Sequence, residues 1–157
     1  MLDLAGTRGM KLDWSMAARV AQCDVAGLRV VPDAVPRITM AASSLARKGA
    51  FELREALQGL RVEICLPPGA QETPEFWAGF NVRRMPSMQA AIEVADLVVL
   101  PAWVEHQPRA LLAAMLRGTP VIATPACGLP STLPWLAVQP GDSQALRACI
   151  ERYLPAG

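Results

Sequence analysis

The run Leu97-Val98-Val99-Leu100 carries no polar residue on either of the two alternating faces of a strand, so neither face can meet water. Such a strand belongs inside a parallel sheet that helices cover on both sides. From Arg37 onward the chain fits that frame. Strands are predicted over residues 38–42, 61–66, 82–85, 121–124 and 136–138, besides 97–100. Between them helices are predicted over 45–60, where Leu45, Ala50, Leu53, Ala56, Leu57 and Leu60 recur near helical spacing, over a short stretch around 74–79, and over 87–95 behind a Ser87 cap. A helix over 108–117 opens at Pro108 and stops at Gly118, and a last one, capped by Asp142 or Ser143, ends near Tyr153. Strand and helix alternating in this way define a Rossmann-like, doubly wound, mainly parallel α/β sheet with helices on both faces and right-handed crossovers. The first 36 residues read differently: a short helix over 13–22, a strand over 28–31 and a turn at Pro32-Asp33-Ala34.

A chain of 157 residues holds one core of this kind, and an apolar content of 52% against 18% charged residues excludes disorder. The charge-free stretch from Gly118 to Gly141 is cut by Pro120, Pro125, Pro130, Pro134 and Pro140, which excludes a membrane-spanning helix there. Asp3 stands early and no apolar stretch follows the N-terminus, so no signal peptide is expected. Cys23, Cys65, Cys127 and Cys149 form no C-x-x-C pair, and with one histidine in the chain no zinc-ligand spacing can be assembled. The expectation is reduced thiols, a cytoplasmic location and no metal. A net charge of +1 supplies no basic surface for a nucleic acid.

Ligands of doubly wound sheets bind at the carboxyl ends of the strands. Three loops are therefore candidates: 43–48, 102–107 and 125–130. The first places Arg47 and Lys48 in what is expected to be the first turn of a helix, where the helix dipole disfavours cations and a bound anion would reverse that sign. These residues suit a diphosphate; two solvated surface cations are the alternative. In the second loop Glu105 stands at the end of the most buried strand, suited to sugar hydroxyls or, in the plainer reading, exposed to solvent. His106 fits a solvated or capping group better than a general base, and Trp103 fits a core-edge position better than a stacking platform.

Several segments resemble, in order, the C-terminal half of family-4 glycosyltransferases with the GT-B fold. They are Val30-Val31-Pro32-Asp33-Ala34-Val35, similar to the hinge between that family's two domains; Arg47-Lys48-Gly49, similar to its lysine-glycine phosphate element; Glu105-His106-Gln107-Pro108-Arg109-Ala110-Leu111-Leu112 with Met115, Gly118 and Pro120-Val121-Ile122-Ala123-Thr124; Cys127-Gly128-Leu129-Pro130; and Gln139-Pro140-Gly141-Asp142. The resemblance implies a donor-binding domain over 37–157, with 1–36 a remnant of the inter-domain segment and hinge. It implies transfer of a hexosyl unit from a nucleotide-diphosphate sugar to an acceptor hydroxyl, with retention at the anomeric carbon and with neither metal nor cofactor. Glu105 corresponds to the catalytic glutamate that contacts the donor sugar. Arg47, Lys48, Gly49, Arg109, Ala110, Leu111, Gly128 and Leu129 correspond to donor-binding positions. The family's second glutamate, which holds the ribose, falls on Ala113, and an arginine common before the lysine falls on Ala42.

The implied partners are the nucleotide-sugar donor and an N-terminal acceptor domain that this chain lacks; any peripheral membrane contact would run through that missing domain. Without it the chain is expected to be inactive. Two other readings stay open: a non-catalytic nucleotide-binding or protein-interaction module of the same fold, and another GT-B-type enzyme such as a nucleotide-sugar epimerase.

Overall fold

The computed structural model describes residues 34–105 and 108–154. The helix and strand expected before residue 34, most of the hinge-like segment, and His106 lie outside them. Strands β1 (Arg37–Met40), β2 (Glu63–Leu66), β3 (Val82–Arg84), β4 (Leu97–Leu100), β5 (Val121–Ala123) and β6 (Leu136–Ala137) form one sheet in the order β3-β2-β1-β4-β5-β6. Every pairing is parallel, with Ile38 of β1 opposite both Ile64 and Leu97, and Val98 opposite Val121. The helices between them are α1 (Ala50–Leu57), α2 (Met88–Val94), α3 (Arg109–Leu116) and α4 (Ser143–Glu151).

Two apolar cores lie on opposite faces of this sheet. Helices α2 and α3 cover one, where Ile92, Leu111, Leu112 and Met115 pack on Val98, Leu100, Val121 and Ala123. Helices α1 and α4 cover the other, where Leu53, Leu57, Leu146 and Ile150 pack on Ile38, Met40, Ile64, Leu97, Val99 and Ile122. Strand β4 thus gives two residues to each core, and all four are sealed from water. That is the physical reason for its unbroken apolar run. The polar Thr39 is tolerated at full burial in β1 because its hydroxyl donates to the Ala91 carbonyl at 2.6 Å. At one sheet edge β3 exposes Arg83 and Arg84, charges that discourage pairing with another strand.

The helix caps follow the sequence. Ser87 Oγ accepts from the Ala90 N–H at 3.0 Å, and Asp142 Oδ1 accepts from the Ala145 N–H at 2.9 Å.

Two expected elements differ. The helix expected over 45–60 is broken: a single 3-10 turn, Ala46–Lys48, ends at Gly49, and α1 starts only at Ala50. Gly49 has φ of 86° and lies so close to the end of β4 that a Cβ would sit 2.1 Å from the Pro101 carbonyl oxygen. Arg47 and Lys48 therefore precede α1 instead of occupying its first turn, and the dipole argument does not apply to them as stated. The second difference is residues 74–79, which form successive turns closed by short-range bonds (Phe76 N–H to Thr73 O, Ala78 N–H to Glu75 O, Phe80 N–H to Trp77 O) in place of a helix. The segment is held by its aromatics: Phe51, Phe76, Trp77 and Phe80 meet edge to face in sequence, and the buried Trp77 Nε1 donates to Ser44 Oγ at 2.8 Å.

Candidate functional site

Strand order reverses between β1 and β4. The chain leaves β1 towards β2 and leaves β4 towards β5, which makes the carboxyl ends of these two strands the switch point of the sheet, the position at which open α/β sheets bind ligands. The two loops that meet there are 41–49 and 101–105.

They are fastened to each other by backbone and side chain. The Arg47 carbonyl accepts from the N–H of Trp103 at 2.9 Å and of Val104 at 3.3 Å. Lys48 Nζ donates to the Val104 carbonyl at 3.2 Å and to Glu105 Oε2 at 3.0 Å. On the other side, the Glu72 N–H donates to the Ser44 carbonyl, and the Glu72 carboxylate accepts from the Ala46 N–H. The third loop is latched to the end of β4 through Thr124 Oγ1, which donates to the Ala102 carbonyl at 2.6 Å, and through the Cys127 thiol, 3.6 Å from the Leu100 carbonyl. Burial pushes the Cys127 thiol up from its ordinary range, so it stays protonated and serves packing.

The side chains of Lys48 and Glu105 are only 15% and 8% exposed. A carboxylate covered to that degree costs several kcal/mol without a partner, so each charge holds the other in place. An ammonium has three N–H donors, and the two acceptors it has among the described residues leave one for an incoming anion. The pair thus offers a cation and a carboxylate side by side, at the end of the most buried strand.

The other residues singled out in the sequence are distributed as follows. Arg47 contributes its carbonyl to the junction while its side chain is exposed. Gly49 permits the close approach to Pro101. Arg109, Ala110 and Leu111 open α3, whose first N–H groups have no carbonyl within the helix to bond. The Leu111 side chain is wholly buried, so only its backbone can reach a ligand. Arg109 and Ala110, with Ala113, line a groove of about 440 Å³ between α2 and α3. Gly128 has φ of 68° and open space over its Cα, whereas Leu129 packs into the core at 8% exposure.

Sequence reasoning misjudged Trp103. It is half exposed instead of lying at the core edge, and its indole Nε1 donates to Glu52 Oε1 at 3.0 Å. Glu52 was not singled out, and Thr124 and Ser44 stood only inside a motif and a candidate loop, with no role of their own. Their roles depend on bonds to residues at least 22 positions away, for which no local pattern exists.

The all-parallel sheet with helices on both faces defines a Rossmann-like α/β domain. The chain belongs to the glycosyl transferases group 1 family, whose pattern it matches over residues 15–155. It has the form of the C-terminal domain of a GT-B glycosyltransferase. It is 31% identical over 115 residues to a protein of Bacillus subtilis (strain 168) that carries the provisional name teichuronic acid biosynthesis glycosyltransferase TuaC, a match covering 68% of this chain and 30% of that protein. Among solved structures it is similar to sucrose-phosphate synthase from Thermosynechococcus elongatus (TM-score 0.64, 25% identity, 78% of this chain and 37% of that one). It is also similar to Anabaena Alr3699/HepE, solved in complex with UDP-glucose (TM-score 0.62, 20% identity, 75% of this chain and 38% of that one). The chain therefore spans between three and four tenths of the length of these relatives. Among the described residues no helix is long and apolar enough to cross a membrane.

Proposed function

We propose that this chain is the donor-binding half of a retaining glycosyltransferase of hexosyltransferase type, acting on a nucleotide-diphosphate sugar. The observation that carries this reading is the Lys48–Glu105 pair at the switch point, 3.0 Å apart and largely covered. Lys48 directs its remaining N–H donor to a phosphate oxygen, the amides opening α3 take a second one, and the exposed Arg47 adds long-range attraction. Glu105 accepts from a hydroxyl of the transferred sugar and fixes the ring against the diphosphate. No cofactor or metal enters this scheme, and the acceptor is brought by a further domain. The UDP-glucose bound by the Anabaena relative supports the ligand class.

Isothermal calorimetry with nucleoside diphosphates tests it. Weak binding is expected, falling with added salt, and Lys48→Ala should weaken it by about 1.5–3 kcal/mol, the size of a charge-assisted contact. Equal affinity in parent and Lys48→Ala removes the assignment. A second reading, a module of the same fold that does not catalyse, is favoured by Ala113: it stands where the resembled family holds the ribose with a glutamate, and it lines an otherwise mostly apolar groove. Absence of binding by any nucleoside diphosphate would select the protein-interaction form of that reading.

A further inference from the structure

We propose that Trp103 is a stacking platform for a pyranose ring beside the Lys48–Glu105 pair; the proposal rests on reading that pair as part of a sugar-transfer site. Trp103 is 50% exposed, yet its ring is not free to move. Its backbone N–H is bonded to the Arg47 carbonyl at 2.9 Å, and its Nε1–H donates to the Glu52 carboxylate at 3.0 Å. The far edge of the indole lies against Gly141, so close that a Cβ there would fall 2.7 Å from Cζ2 and 2.8 Å from Cη2. The loop after β4, the start of α1 and the turn before α4 thus converge on one aromatic ring and fix its plane.

A tryptophan that served only packing would be covered. This one is held at its indole N–H and beside Cζ2 and Cη2, and half of its surface stays open. The open surface of an indole carries the negative side of its quadrupole, and the C–H groups on one face of a pyranose ring carry partial positive charge, so the two stack. Position favours a sugar over other flat or apolar ligands. Trp103 leaves the same loop as Glu105, two residues earlier, and the carbonyl of the intervening Val104 is bonded to Lys48. A ring held on the indole would have its hydroxyl edge near a carboxylate, and its phosphate, where it has one, near an ammonium. A pre-fixed platform also spares the entropy of ordering a side chain on binding. The pyranose is either the donor's sugar or the acceptor's; the stacking chemistry is the same.

The test is a ¹H–¹⁵N correlation experiment on the full chain, with the Trp103 indole Nε1–H peak assigned through Trp103→Phe. Methyl glucoside, methyl galactoside and methyl mannoside are titrated with and without UDP or GDP, and UDP-glucose and GDP-mannose are titrated separately. At least one sugar is expected to shift the indole peak, and Trp103→Ala should lower the affinity for that sugar by about fivefold or more, with Trp103→Phe retaining most of it. Glu52→Gln, which keeps the shape but weakens the hold on the ring, should fall between parent and Trp103→Ala. A shift with nucleotide-sugar beyond that with bare nucleotide assigns the platform to the donor; a shift with a free glycoside assigns it to the acceptor. Amide shifts at residues 46–49 report the diphosphate site independently. If nucleotides move those amides while no sugar moves the indole, or if Trp103→Ala binds sugar as the parent does, the platform is refuted and the reading of the Lys48–Glu105 site stands. If neither set of peaks moves, both fail.

Discussion

Replacing Gly49 by alanine should be far more damaging than replacing Gly59, although both glycines have left-handed backbones, with φ of 86° and 77°. At Gly59 a new Cβ meets nothing within 4 Å. Only the left-handed conformation of a non-glycine residue is penalised there, about 1 kcal/mol. At Gly49 the same penalty applies, and the Cβ also lands 2.1 Å from the Pro101 carbonyl oxygen and 2.6 Å from its carbonyl carbon, where ordinary contact begins at 3.4 Å. Backbone must therefore move by more than an ångström on one side or the other. Neither side yields easily: Pro101 follows the central strand, and Gly49 is the hinge at which the 3-10 turn ends and α1 begins. Overpacking of this kind costs about 1–3 kcal/mol, giving a total of about 2–4 kcal/mol for Gly49→Ala. Lys48 would be displaced from Glu105, so the variant should also lose nucleoside diphosphate binding while still folded. Urea unfolding followed by far-UV circular dichroism measures the first effect, and calorimetry the second. If Gly49→Ala and Gly59→Ala cost the same within about 0.5 kcal/mol, the close approach to Pro101 does not hold the site together.

Further outcomes follow from the ion pair and the core. Glu105→Gln should release Lys48 from its counter-charge, so bare nucleoside diphosphate is expected to bind up to about tenfold more tightly while the gain from an attached sugar is lost; weaker binding of the bare nucleotide in calorimetry would contradict this. Burial, with the Glu63 carboxylate as a second cause, raises the Cys65 thiol from 9.0 to about 11, so the folded chain keeps its proton where the unfolded chain loses it. Stability from this group is complete below pH 9 and is lost as pH rises towards 11, by about 2–3 kcal/mol, and unfolding curves of Cys65→Ala should lack that share of the alkaline decline. On the proposed reading this chain by itself is expected to transfer no sugar to any acceptor glycan, because that reading gives it the donor-binding wall of the reacting cleft alone; product formation detected by mass spectrometry would overturn that.

The α/β class, the order of strands and helices from β1 to α4 apart from the segments 45–49 and 74–79, and the caps at Ser87 and Asp142 were legible in the sequence, because they rest on interactions between residues a few positions apart. The double-sided burial of Leu97–Leu100 was legible for the same reason: a strand with no polar face leaves no alternative. Lys48 and Glu105 could be named as candidates, the one from its place in Arg47-Lys48-Gly49 and the other from the end of a buried strand. That they bond to each other could not be read, since they are 57 residues apart and meet only because β1 and β4 are neighbours. Strand order also decided that the helix expected over 45–60 must break at Gly49, where the end of β4 leaves no room for a side chain. The exposure of Trp103 was settled in the same way, by the placement of Glu52 and Gly141 on elements remote in sequence. Local preferences select the elements; the distances that create a site arise between elements, and no residue's own neighbours encode them.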